Sequence, residues 1–359
     1  MKKITQLEPW YGSEEKKAMK EYLDSGGWLM EFKKTKEFEE MICKFTGAKY
    51  CSVVNNGTVS LFIGLKALGI GSGDEVIVPN ITMAASPNSV ILTGAKPVFV
   101  DIEEKSMCLD VKLVEKAINK KTKAVMHVSL NGRAGELDKL KKLCQSKKIH
   151  LVEDAAQAFG SYYRGKHLGT FSAFGSFSFS VPKVITTGQG GAVITNDKKI
   201  FDKVLKIKDF GRERSGEDHY IALGWNFKFT DLQAVIGIEQ MKKLKWRLRR
   251  KKQMYRLYQK ELKNTSAVNF PETNLKEVAP WFFDIKVPDN KKLQKYLKEN
   301  GIGSRRIYPS LNSEPIYKVK GSFPVSKKIA RQVLWLPSSS FLSDNQIKHI
   351  CKTIKKFYE

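Results

Sequence analysis

The sequence predicts an α/β protein: a large domain with a mostly parallel, helix-covered sheet, then a smaller α+β domain. Three observations carry that reading. Short β-like apolar runs alternate with longer helical stretches, which is the α/β signature. Helical stretches between many of them are long enough to cross over between parallel strands. After about residue 240 the texture changes to a long basic helix, a Pro-bounded segment around WFFDIKVPD, and a closing mix of helices and short strands. The expected domains are residues 1–240 and 241–359.

The strand-like runs, in order, are Cys51 to Val54, Glu75 to Pro79, Pro97 to Asp101, Ala124 to Leu130, Ile149 to Asp154 and Ala192 to Thr195. The crossover stretches include VSLFIGLKALG after Thr58, LVEKAINK after Asp110 and ELDKLKKLCQSKK before Ile149. Val76 to Ala95 is uncharged and about long enough to span a bilayer. It contains Pro79, Asn80, Pro87 and Asn88, which a lipid-facing helix cannot readily satisfy, so a strand, turn and helix fit better and no transmembrane segment is expected. In the run KKLKWRLRRKK at 242–252, Leu244 and Leu248 lie four apart, which predicts an amphipathic helix with a solvated basic face.

The chain has 359 residues, and its 63 Lys+Arg against 37 Asp+Glu give a net charge of +26. That suits phosphates, nucleic acid or an anionic membrane surface. The lysines are spread along the whole chain, however, with neither a zinc finger nor an RNP signature, so no specific nucleic-acid partner is expected. Five scattered cysteines without a CxxC pair fit reduced thiols and imply neither disulfides nor a metal. The N-terminus turns polar within a few residues, unlike a signal peptide, and a cytoplasmic location is expected.

The chemistry centres on three places. From Leu168 to Asn196 the only charged residue is Lys183, in a chain that is 28% charged, so the segment reads as buried. Burial lowers a lysine's pKa toward the neutral amine that attacks an aldehyde, although such a lysine can also extend its ammonium to the surface. TTGQGG follows, and Ser176, Ser178 and Ser180 precede it with hydroxyls. In LVEDAAQAFG, Asp154 closes an apolar strand at the carboxyl edge of the sheet, where it needs a cationic partner, unless Asp154 or Glu153 simply caps the next helix. In VVNNGTVSLFIGLKALG a turn opens an apolar helix, so the amides of Gly57 and Thr58 suit an anion, or NNGT is only a turn with an N-cap threonine.

Taken together, NGTVSL, GDEVIVP, ITMAASPNSV, GAKPVFVDI, LVEDAAQAFGS, FSFSVPKVITTGQGG, GWNFKFTDLQAVIG and RRIYPSLNSEPIYK resemble, in order and spacing, the DegT/DnrJ/StrS family of nucleotide-sugar aminotransferases. The resemblance runs over nearly the whole chain. It implies the fold-type I aspartate aminotransferase architecture with a seven-stranded sheet, and pyridoxal 5′-phosphate (PLP) as cofactor, with pyridoxamine 5′-phosphate as its second form. Lys183 resembles the cofactor-bearing lysine, Asp154 the partner of the pyridinium nitrogen, and Gln157 the residue near the cofactor's 3-oxygen. Gly57, Thr58 and Ser178 match the phosphate cradle, and Met83 falls where relatives lay an aromatic ring over the cofactor. Asn226 matches an asparagine that reaches across a homodimer interface to the neighbouring site. Trp28, Glu31, Arg305, Tyr308 and Asn312 fall where relatives meet substrate.

Four positions depart from the pattern: Met83 replaces the aromatic ring, Gln189 a glutamate, Asn312 a histidine, and Phe32 a glycine. The resemblance implies transfer of an amino group, from glutamate in most relatives, to a nucleotide-linked 4-keto-6-deoxy sugar, as in perosamine synthases. A 3-keto-sugar aminotransferase and a non-catalytic regulator that binds polyanions remain the alternatives. A sugar dehydratase of this fold would carry histidine in place of Lys183.

Overall fold

The computed structural model describes residues 3–317 and 319–359; Lys318, at the end of the RRIYPSLNSEPIYK stretch, lies outside the described residues. Helices α1 (Ser13–Asp24) and α2 (Lys33–Thr46) precede β1 (Tyr50–Val54) and α3 (Gly57–Ala67). Then come β2 (Glu75–Pro79), α4 (Ala85–Leu92), β3 (Lys96–Val100), α5 (Val111–Ala117), β4 (Thr122–Val128), α6 (Leu137–Ser146) and β5 (His150–Asp154). A short hairpin, β6 (Tyr162–Tyr163) and β7 (Lys166–His167), leads to β8 (Gly175–Ser178), β9 (Gly191–Thr195) and α7 (Lys198–Lys208). The last part holds α8 (Asp231–Leu262), β10 (Phe283–Lys286), α9 (Asn290–Glu299), β11 (Arg305–Arg306), α10 (Pro324–Gln332), β12 (Val333–Leu336) and α11 (Asp344–Tyr358).

The main sheet has seven strands in the order β1-β9-β8-β5-β4-β2-β3. All its pairings are parallel except those made by β9, which runs against both β1 and β8. This is the fold expected from the sequence. Parallel strands covered on both faces read as continuous apolar runs, and Val76, Ile77, Val78, Val125, Met126 and Val152 are accordingly fully buried. Helix α3 is buried along most of its length, and Gly64 is needed there because a Cβ would lie 2.3 Å from Phe174.

One strand boundary differs from the sequence reading. The strand expected to reach Leu130 stops at Val128, because Asn131 takes a left-handed conformation (φ 55°) within a short turn. Residue 240 lies inside the 32-residue helix α8, which continues toward the second sheet, β10-β12-β11. The basic face of that helix also needs correction. Lys242, Lys245 and Arg249 are exposed, but Arg247 and Lys251 share the buried side with Leu244, at 3% and 4% exposure. No helix among the described residues is long and apolar enough to cross a membrane, and no cluster of side chains there fits a metal ion.

Candidate active site

A cavity of about 620 Å³ opens at the carboxyl edge of the sheet. Asn56, Gly57, Thr58, Met83, Asp154, Gln157, Ser178, Ser180, Lys183 and Gln189 are among the residues that line it. Each comes from a strand end or the turn beyond it, where a parallel sheet concentrates its functional side chains.

One end is built for an anion. Gly57 and Thr58 open α3, where amides have no partner within the helix, and Asn56 caps the turn by accepting from Val59 N at 2.9 Å. Ser178 comes so close that a Cβ on Gly57 would lie 2.8 Å from the Ser178 Cβ. A Cβ on Gly191 would lie 2.4 Å from Asn56 O, so the helix start and the strand after the lysine loop pack backbone to backbone.

The other end holds the carboxylate. Asp154 is buried, which raises its pKa, while Ser86, the Ala156 amide and Lys183 oppose that rise. Ser86 Oγ donates to Asp154 Oδ2 at 2.7 Å and lies 2.8 Å from Thr82 Oγ1, and Ala156 N donates to Asp154 Oδ1 at 3.2 Å. Glu153 turns to the other face of β5 and accepts the amides of Gly169 and Phe171, so neither acid caps a helix. Gln157 accepts from Asn131 N at 2.9 Å, which is what the left-handed turn at Asn131 provides.

Lys183 stands between the two ends on the loop joining β8 and β9. Part of its surface faces the cavity, yet its amine is desolvated enough to bring the pKa down to about 8; Asp154 opposes the drop and Arg305 adds to it. The ammonium lies 4.0 Å from the centroid of the Trp281 ring. Tyr308 is buried beside Gln157, 3.4 Å from its Nε2, and the Arg305 guanidinium lies over the Tyr308 ring at 5.8 Å. Met83 is half exposed in the cavity wall, with its sulfur 3.1 Å from Ala85 N.

The other expected residues are not brought to this wall. Both oxygens of Glu31 are engaged inside the fold, one with Lys208 Nζ at 2.9 Å and the other with Phe229 N at 3.0 Å. Asn312 is nearly buried: its Oδ1 accepts from Asn80 Nδ2 at 2.9 Å and Ser310 Oγ at 2.8 Å, and its amide donates to Asn80 Oδ1. Trp28 is exposed and packs on Phe32, and Asn226 forms a β-bridge with Asp209. The Phe32 amide donates to Asp231, whose buried carboxylate also gathers Lys34 N, Thr35 N and Thr35 Oγ1, so that α2 starts at a fixed place.

Ser86, Asn131 and Trp281 escaped the sequence reading. Each acts through one hydrogen bond or ring contact to a residue at least 26 positions away, and no local pattern marks such a contact.

The residues fit PLP: an anion cradle, a carboxylate placed for a ring nitrogen, and a depressed-pKa amine share one cavity. The chain is 33% identical over 364 residues to the GDP-perosamine synthase of Escherichia coli O157:H7, covering 100% of this chain and 99% of that protein. It is 34% identical over 322 residues to the UDP-2-acetamido-2-deoxy-3-oxo-D-glucuronate aminotransferase of Pseudomonas aeruginosa, covering 89% of each. Among solved structures, Spr1654 of Streptococcus pneumoniae, assigned as a sugar aminotransferase and solved in its PLP form, superposes with a TM-score of 0.93. That match has 27% identity and covers 99% of this chain and 98% of that one. With residues 9–355 matching it, the chain belongs to the DegT/DnrJ/EryC1/StrS aminotransferase family.

Proposed function

We propose that this aminotransferase uses PLP to place an amino group on C4 of a nucleotide-linked 4-keto-6-deoxy sugar, with L-glutamate as donor. The observation that carries the reading is the meeting of Lys183, Asp154, Gln157 and the Gly57–Thr58–Ser178 cradle in one cavity. The 4-amination is supported by the relatives named GDP-perosamine synthase and by the likeness of GWNFKF and RRIYPSLNSEPIYK to that group.

PLP supplies, when bound, an aldehyde carbon for amines and a ring that accepts electrons. Gly57, Thr58 and Ser178 would hold its phosphate. Asp154 would keep the proton on its ring nitrogen, and Ser86 steadies that carboxylate. Gln157, fixed by Asn131, would stand near the cofactor's 3-oxygen. Lys183 Nζ, with a pKa of about 8, is neutral often enough near pH 7 to take the proton from the donor's α-carbon. Arg305 and Tyr308 face the substrate, and the net charge of +26 draws in a nucleotide diphosphate.

The enzyme works as a cytoplasmic homodimer in this reading. Trp28, Leu29, Met30 and Phe32 are exposed, as are Tyr220, Ile221 and Leu223 just before Asn226, and apolar surface of this extent suits burial against a second copy. Asn226 then reaches the neighbouring phosphate cradle. The five cysteines are free, as a reducing compartment requires.

The test is an absorbance spectrum of the purified chain with PLP, before and after L-glutamate, beside Lys183→Ala. A visible band of cofactor joined to lysine, bleached by glutamate and missing in the variant, supports the reading. A band indifferent to every amino donor overturns it in favour of the regulator. Turnover of nucleotide-linked 4-keto against 3-keto sugars then decides the ring position, since the Pseudomonas relative is named for a 3-oxo substrate.

A further inference from the structure

The loop that carries Lys183 has neither helix nor strand from Phe179 to Gly190; a few internal bonds, such as Lys183 N to Ser180 O at 3.0 Å and Thr187 N to Phe179 O at 2.9 Å, shape it, and side chains from other elements grip it from outside. Three side chains grip it at alternate residues. Trp281 Nε1 donates to Pro182 O at 2.5 Å, Arg247 Nη1 donates to Val184 O at 2.8 Å, and Gln240 Oε1 accepts from Thr186 N at 3.3 Å. Arg247 also donates to Gln240 Oε1 at 2.6 Å, so the second and third grips are joined.

The first grip is held from behind. Lys251, one helical turn beyond Arg247 on α8, donates to the carbonyls of Trp281 at 2.8 Å and Ser338. Burial brings its pKa down to about 7, with Arg247 adding to the drop, and among the described residues no carboxylate pairs with it. A buried cation without a counter-ion is costly, and an apolar side chain of similar length would fill the same space without that cost. What the cation supplies there is a hold on two carbonyl oxygens. Among the described residues Arg247 has no carboxylate within salt-bridge distance, Glu15 acting on it from farther off: its guanidinium lies 4.2 Å from the Trp10 ring, and its hydrogen bonds go to Val184 O, Gln240 Oε1 and Trp10 O.

We propose that Arg247 and Lys251 are positioning residues for Lys183. Arg247 fastens the backbone just after the lysine, and Lys251 fastens Trp281, which fastens the backbone just before it and lays its ring under the amine. The two buried cations of α8 thereby set where Lys183 Nζ stands relative to Asp154 on β5 and Arg305 on β11, the charged groups that act on it. The inference rests on Lys183 being the reactive lysine of the proposed function, but its first test does not need the cofactor.

The experiment labels the full chain without cofactor using acetic anhydride across a pH series and reads modification of Lys183 by mass spectrometry. In the parent the midpoint is expected near 8. In Lys251→Met and Trp281→Phe it is expected to rise by about one pH unit toward the ordinary lysine value, because a loosened loop lets the amine reach water. The same variants are expected to bind PLP on the order of tenfold more weakly, while Lys245→Met on the exposed face of α8 changes neither quantity.

Midpoints and PLP affinities that stay with the parent in both variants overturn the proposal, even where thermal stability falls. Should Lys251→Met fail to fold, Trp281→Phe decides, since it keeps an aromatic ring and removes the donor to Pro182. A parent that binds no PLP overturns the proposed function alone; the labelling midpoints then still decide the brace.

Discussion

Ser86 Oγ donates to Asp154 Oδ2 at 2.7 Å from the first turn of α4, so the carboxylate at the end of β5 is oriented by a helix two strands away in the sheet. Removing that donor in Ser86→Ala costs about 1 kcal/mol of stability and raises the Asp154 pKa further, because burial is then less opposed. The acid limb of the kcat/KM–pH profile is expected to move to higher pH. An unchanged profile would mean that Ser86 does not tune the acid.

Asp154→Asn separates function from stability. The folded pKa of Asp154 is raised by burial, so its contribution to stability is present below the unfolded value and lost as pH rises through the folded one. Above the unfolded value the raised pKa is therefore a burden on the chain without cofactor. The variant is expected to melt no lower than the parent while turnover falls on the order of a hundredfold, checked by calorimetry and by the transamination rate.

Lys183 gives the opposite sign. Its folded pKa of about 8 lies below the unfolded value, so stability is fully present above the unfolded value and lost as pH falls through about 8. Lys183→Met is inactive and, without cofactor, melts above the parent at pH 7. The gap closes as pH rises past about 10. Calorimetry at the two pH values checks this.

Glu31 was expected at the substrate, but its carboxylate bridges Lys208 and the Phe229 amide. Glu31→Gln leaves the buried Lys208 with Glu39 at 3.8 Å as its remaining acid. A stability loss of about 2 kcal/mol in urea unfolding is expected. A raised KM at parental stability would restore Glu31 to the substrate.

Asn312 Oδ1 accepts from Asn80 Nδ2 and Ser310 Oγ, and the Asn312 backbone amide donates to Asn80 Oδ1. Asn80→Ala strands buried polar groups on the segment that follows Tyr308, at a cost of about 2 kcal/mol. If that segment shapes the sugar pocket, KM rises more than kcat falls, measured with the keto-sugar as varied substrate.

The apolar strand runs, the crossover lengths between them, and the order of the motifs fixed the α/β fold in advance, because periodicity and connection length are local properties of a chain. Lys183 and Asp154 were legible for the same kind of reason. One is the lone charge in an apolar stretch and the other ends an apolar strand, and both patterns lie within a few adjacent residues. What the sequence did not contain is which distant groups meet. The run at 242–252 read as a solvated basic face, yet Arg247 and Lys251 turn inward, because a helix side facing the lysine loop and the Trp281 carbonyl offers oxygens that a cation can bind. Glu31 and Asn312, expected at the substrate, have partners in Lys208 and Asn80. Such pairings join residues up to 232 positions apart and are decided only when the packed chain brings them within hydrogen-bond distance.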